Sequence, residues 1–386
     1  NERHCTATTN SVFLHRITSK KLKLESEIKM NIEKAKKVME ELELDGILLT
    51  DLYNIRYFTG FTGTTGIGLI SKKGNFFFSD FRYKEQGKLE VEKEDFEFVE
   101  VSRGALNKIG EYVEKLGIRK LGIEDKQVTV SYYKELKNTF QAELIGVENK
   151  LQLIRMIKTN KEIEIIKRAI EISDYSFQET IKVIKKGMTE KEIAAHIEYM
   201  QRKMGADDTS FATIVASGVR SAMPHGVASD KKIEEDEFIT IDFGCYYDGY
   251  VSDMTRTIYF GNNISDKHKE IYNTVLNAQL MGVDNIKSGM LTSEIDKIVR
   301  DYITEKGYGD KFGHGLGHGI GLEIHEAPAL SPVTNTVLEE NMVVTVEPGI
   351  YVEGFGGVRI EDDVVITKSG CEILNKTSKE LKIIRY

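Results

Sequence analysis

The stretch GHGLGHGIGLEIHE, residues 313–326, decides how this chain is read. It sets His314, His318 and His325 among five glycines, in a protein that has only eight histidines. His314 and His318 are four apart, the spacing that shares a helical face, but each glycine costs a helix about 1 kcal/mol relative to alanine. A zinc helix of the H-E-x-x-H kind fails too. His325-Glu326 runs into Ala327-Pro328-Ala329, with no second histidine and a helix-breaking proline. No G-x-G-x-x-G register is present for a dinucleotide loop. The reading left is extended backbone, glycine-rich so that something packs closely against it while imidazoles point at one place.

Imidazoles gain meaning from the carboxylates that join them. FITIDFGCYYDGYVSDMTRTIYF (238–260) reads as a β-hairpin turning near Tyr247-Asp248-Gly249. A turn centred on 247–248 sets Asp242 directly opposite Asp253; an Asp248-Gly249 turn makes them diagonal neighbours. Both registers put the two side chains on one face. Ile241, Phe243 and Met254 predict that this hairpin is buried, and two buried aspartates need a cation. In VEPGIYVEGFGGVRIEDD (346–363), Glu347 and Glu361 are equidistant from Gly354 within the turn, so both reach one centre. Four carboxylates and the histidines make an oxygen-rich candidate site for two metals.

The rest of the chain frames that site. Its 386 residues are enough for two domains, and 40% hydrophobic content fills their cores. A net charge of −8 speaks against nucleic acid as a partner. No apolar run approaches the ~20 residues of a membrane span. Cys5, Cys245 and Cys371 are scattered without a C-x-x-C pair, which suggests a reducing, cytoplasmic setting. Residues 1–29 lack steady periodicity, and the helical pattern begins at Met30; we read 1–29 as a non-native or disordered extension. Residues 30–155 alternate helix and strand as an α/β domain, with a hairpin over Lys72-Lys73-Gly74. Residues 156–386 read as an α+β domain of two similar halves, each a helix pair followed by strands. Capping boxes at Thr159/Glu162 and Thr189/Glu192 start the first two helices, and Gly187 is expected to stop the first.

The motif His314 to Glu326 resembles, position for position, the signature of aminopeptidase P and prolidase, within the pita-bread metallopeptidases. MPHG (223–226), IDFG (241–244), SDMTRT (252–257), VEPGIY (346–351) and VRIEDD (358–363) resemble the family's other active-site motifs. NIRYFTGFTG (54–63) and FSDFRYKEQ (78–86) resemble its amino-terminal domain. The resemblance runs from Met30 to the carboxyl terminus. It implies a pita-bread catalytic domain behind a creatinase-like α/β domain that limits access and contacts a second subunit. It implies metal ligation by Asp242, Asp253, His318, Glu347 and Glu361, with Asp253 and Glu361 bridging two divalent ions. Four carboxylates balance two such ions, and one nitrogen among oxygens favours Mn²⁺, with Co²⁺ or Zn²⁺ also accommodated.

The implied reaction is attack of a metal-bridging hydroxide on the peptide bond before proline. Glu347 is the expected proton shuttle. His225 and His325 match histidines that serve the tetrahedral intermediate or the leaving nitrogen. His314, Arg359 and Tyr351 are the expected substrate-side residues. The resemblance thus points to an Xaa-Pro aminopeptidase, with an Xaa-Pro dipeptidase as the alternative. A non-catalytic binding protein on the same fold is the remote one, disfavoured because all five ligand positions are filled. The expected partners are peptides with proline second and another copy of the chain as a homodimer, with neither nucleic acid nor membrane.

Overall fold

The protein's structure, a computed structural model, describes residues 27–102 and 104–385. The chain divides into two compact units, one ending at Ile154 and the other beginning at Arg155.

The first unit opens with a helix over residues 27–41. Ile28, Ile32, Ala35, Val38 and Met39 are its buried side, the 3.6-residue stripe that makes a helix seek a core. Regular structure therefore begins ahead of Met30; what we expected of residues 1–26 lies outside the described residues. A six-stranded sheet follows in the order Phe96–Glu100, Gly74–Ser79, Ile67–Ser71, Gly46–Leu49, Lys120–Ile123, Glu143–Gly146. Ser71 faces Gly74 across the Lys72-Lys73 turn. The helices Ala105–Leu116 and Val130–Thr139 link the parallel strands. Leu48, Leu69, Phe78, Ile109, Val113 and Leu121 form the core between sheet and helices.

The second unit holds two helix pairs, Asn160–Thr180 with Glu190–Lys203 and Asp266–Asn285 with Thr292–Glu305. Both expected capping boxes form: the Thr159 and Thr189 hydroxyls accept from the Glu162 and Glu192 amides, and each glutamate returns a bond to the cap. The first helix, however, stops at Thr180, well short of Gly187. The Lys182 and Val183 amides instead bond three residues back. Those tight turns swing Ile184 into the core with Ile193, Ile239 and Phe243.

Two sheets meet these helices. One runs Ile383–Ile384, Met254–Phe260, Glu237–Phe243, Ile214–Ser217. The other runs Glu326–Leu330, Gly317–Gly319, Val343–Val346, Asp362–Ile366, Cys371–Ile373. The hairpin Gly349–Val352/Gly356–Arg359 stands beside them. Phe238, Tyr259, Val275, Val299, Val344, Ile350 and Val364 share one core cluster, each such side chain contributing about 1.5–3 kcal/mol by leaving water. No helix among the described residues is long and apolar enough to cross a membrane.

Candidate metal centre

The turn Asp248-Gly249, with φ of 47° and 76°, is of the kind that suits the right-handed twist of a hairpin. It settles the register: Tyr247 faces Tyr250, and Thr255 faces Asp242. Asp253 is therefore diagonal to Asp242 on the same face, the second of the two registers expected. Both are buried, at 8% and 5% exposure.

The second hairpin is centred on Gly354, which has φ 73°. Gly349 faces Arg359, so the same register carried outward sets Glu347 against Glu361. The two hairpins are stitched together at Thr255. Its carbonyl accepts from the Glu361 amide at 3.1 Å, and its hydroxyl donates to Glu361 Oε2 at 2.7 Å.

The glycine-rich stretch is extended only at its centre and bends over residues 321–325, which carry His325. Gly317–Gly319 is a strand between Glu326–Leu330 and Val343–Val346. A Cβ on Gly317 would overlap the Thr345 carbonyl, and one on Gly319 the Ala327 carbonyl; the closely approaching partner is neighbouring backbone. The register shifts between His318 and Gly319, a bulge of the sort that re-aims a side chain.

His318 then reaches the carboxylates. Its Nε2 lies 3.6 Å from Asp253 Oδ2 and 3.4 Å from Glu347 Oε1. Its Nδ1 is 3.1 Å from the Gly319 carbonyl, which only accepts, so Nδ1 carries the proton. Burial, then His325, pushes its pKa down to about 4. The ring is neutral and its Nε2 lone pair faces the acids, the state a metal ligand needs.

Donor atoms of Asp253, His318 and Glu361 all lie within 4.8 Å of one another. Asp242 Oδ1 and Glu361 Oε1 are buried without a hydrogen-bond partner. Burial, reinforced by the neighbouring carboxylates, raises Asp253 and Glu361 well above the usual range. Burial pushes Glu347 up to about 7, with Arg359 opposing. Oxygens crowded and dried in this way fit divalent cations.

Arg359 is only 3% exposed. It donates to Asp242 Oδ2 at 2.6 Å, Tyr351 Oη at 2.8 Å, Thr255 Oγ1 at 3.0 Å and the Pro224 carbonyl at 3.2 Å. Tyr351 Oη is 2.9 Å from His314 Nε2, and His314 Nδ1 is 2.8 Å from the Gly315 carbonyl. The chain of donation thus runs Arg359, Tyr351, His314, carbonyl. It keeps His314 neutral, with burial first and Arg359 next pushing its pKa down to about 4. His225 and His325 are exposed. The His325 ring sits 4.4 Å from that of His318, and burial first and the charge of His225 next depress the pKa of His325. The ten residues expected at the site thus gather in one region.

Three neighbours escaped the sequence reading. Thr255 is described above. Thr345 donates to Glu347 Oε1 at 3.3 Å and accepts from the His318 amide at 3.1 Å. Asp363, fully buried, accepts from the Asp253 amide at 3.1 Å. The signal for Asp363 was the run Glu361-Asp362-Asp363 in an otherwise apolar strand. Alternation sends Asp362 away from the site, to Arg256 at 2.7 Å.

Comparison with known proteins returns consistent neighbours. The profile of metallopeptidase family M24 matches residues 164–368, and that of the creatinase/prolidase N-terminal domain matches residues 31–157. An Xaa-Pro dipeptidase structure from Bacillus anthracis is 50% identical with a TM-score of 0.90, covering 92% of this chain and 100% of that one. An X-Pro aminopeptidase structure from Thermotoga maritima is 43% identical with a TM-score of 0.85, covering 92% and 99%. The Xaa-Pro dipeptidase of Pyrococcus furiosus is 43% identical over 359 residues, 92% of this chain and 100% of that protein.

Proposed function

This chain belongs to metallopeptidase family M24, with a creatinase-type N-terminal domain before a pita-bread catalytic domain, and from that premise we propose that it is an Xaa-Pro dipeptidase. The observation that carries the choice is the likeness to proteins named Xaa-Pro dipeptidase at 43% and 50% identity over nearly the whole chain. This replaces the aminopeptidase preference drawn from the motifs; the Thermotoga maritima neighbour keeps that reading as the second.

Asp242, Asp253, His318, Glu347 and Glu361 would hold two divalent ions, Mn²⁺ by the hardness of the donors. When bound, the ions supply Lewis acidity toward the scissile carbonyl and the attacking water. The residues do the rest. Glu347 takes a proton from the attacking water and passes it on. The scissile nitrogen belongs to proline and leaves as a secondary amine, so a proton must arrive as the intermediate collapses. His325, whose ring lies against that of His318, and His225, whose charge reaches His325, are both exposed and serve that step. Arg359, whose donors already engage protein oxygens, positions Asp242 and Tyr351, and His314 completes the wall. The free thiols of Cys245 and Cys371 support a reducing, cytoplasmic setting, and a homodimer completes the proposal, to be checked by sedimentation. The domain division is proposed at residues 155/156.

The test is kcat/KM on Ala-Pro, Ala-Pro-Ala and Ala-Ala-Ala with Mn²⁺. A dipeptidase prefers Ala-Pro. Preference for Ala-Pro-Ala selects the aminopeptidase reading, and equal rates on Ala-Pro-Ala and Ala-Ala-Ala remove proline specificity altogether.

A further inference from the structure

The loop that carries His225 leaves strand Ile214–Ser217, passes through the 3₁₀ turn Gly218–Ala222 and returns at Ser229. Its two ends meet at one carboxylate. Glu190, fully buried at the first turn of helix Glu190–Lys203, accepts on Oε1 from the Ser217 amide at 2.8 Å and its hydroxyl at 2.9 Å. On Oε2 it accepts from the Ser229 amide at 3.0 Å and its hydroxyl at 2.6 Å. Arg220, from within the loop, pairs with the same oxygen and donates onward to the Val227 carbonyl at 3.0 Å.

A buried carboxylate is costly unless its oxygens are filled, and here the donors come from the loop and its two ends. The helix does not require it. Thr189 and Glu192 already cap the first turn, and the Glu190 and Lys191 amides bond the Lys231 and Ser229 carbonyls. The far side of the loop touches the site: the Pro224 carbonyl accepts from Arg359 at 3.2 Å, and Ser221 Oγ accepts from the Gly357 amide at 2.8 Å.

We propose that Glu190 is a positioning residue that clamps both ends of the 217–229 loop and so fixes His225 at the reacting centre. The proposal rests on the part given above to His225. A neutral amide cannot replace it, because Gln accepts on one oxygen only and turns donors toward Ser229 and Arg220.

The test compares Glu190→Gln, Ser229→Ala, His225→Ala and the double variant Glu190→Gln/His225→Ala. Metal content, thermal midpoint and backbone amide exchange are measured on each, beside kinetics with Mn²⁺. Glu190→Gln should lower kcat about tenfold with KM within about twofold, keep its metal, lower the midpoint because donors then face donors, and speed exchange at Ser217 and Ser229. Ser229→Ala should do the same more weakly. In the His225→Ala background, Glu190→Gln should add less than about twofold. An equal factor in both backgrounds overturns the proposal, as does an unchanged kcat with a loosened loop. If His225→Ala alone leaves kcat intact, the role given to His225 fails, and exchange rates alone decide the clamp: unchanged protection in Glu190→Gln overturns it.

Discussion

Replacing Arg359 by methionine tests the electrostatic logic of the site. The guanidinium is buried and makes four hydrogen bonds, the strongest to Asp242 at 2.6 Å. Methionine fills much of its volume but leaves Asp242 and the Tyr351 hydroxyl without that partner. Breaking a buried ion pair in this manner costs about 3–5 kcal/mol. For a folding unit of about 200 residues, each kcal/mol moves the thermal midpoint by about 2–4 °C, so a fall of roughly 6–20 °C is expected. Calorimetry in the presence of a strong chelator reads that number directly. Excess Mn²⁺ should shrink the gap, because a cation beside Asp242 restores the missing countercharge. Arg359→Lys should recover only part of the loss, since one ammonium cannot span four acceptors in a planar fork. A loss below about 1 kcal/mol under chelation, the scale of an exposed ion pair, would show that Arg359 is not the countercharge of Asp242 and refute the reasoning.

Chelation should abolish peptidase activity and Mn²⁺ restore it; Asp253→Asn should bind less metal by elemental analysis, whereas His225→Ala should keep its metal and lose kcat. Gly317→Ala should destabilise the protein by about 1–3 kcal/mol in urea titration, because a methyl there meets the Thr345 carbonyl; an unaffected midpoint would contradict the close approach. Glu347 has its pKa raised to about 7, so the metal-free folded state holds a proton that the unfolded chain releases near the ordinary glutamate value of 4.5. Its stabilising contribution is complete below that value and is lost as pH rises through about 7, at up to about 1.4 kcal/mol per pH unit. Urea midpoints of chelated protein at acid and neutral pH should show the decline, and a rise would exclude it.

Much of the centre was legible because hairpins are local. Equidistance from Gly354 paired Glu347 with Glu361, and alternation put Asp242 and Asp253 on one face before their register was known. Sequence could not choose between the two registers, because both keep the same face; the left-handed backbone at Asp248 and Gly249 broke the tie. The glycines were legible as sites of close approach, though not what approaches. Arg359 was harder. Its spacing from Glu361 told of a shared face, but its main partner is 117 residues away, and no periodicity reports such a pairing. Asp363 was hidden for a similar reason: three acids in a row look solvated until the strand is seen to be covered on both sides. The end of the first long helix was misjudged because Gly187 is a good stop signal, while the burial of Ile184 that ends the helix earlier is a tertiary matter.

The stitching of the two hairpins at Thr255 has a mechanical meaning. Asp242 and Asp253 come from the amino-terminal half of the catalytic unit, and His318, Glu347 and Glu361 from the carboxyl-terminal half. Each half alone is a poor chelator, with only two or three donors. Brought together they form a clasp, and any cation bound between them is a non-covalent cross-link joining the halves. Metal affinity and the cohesion of this unit are then one quantity viewed from two sides. Two fragments cut within residues 261–265, between the strands and the second helix pair, should reassociate more tightly as divalent ion is added.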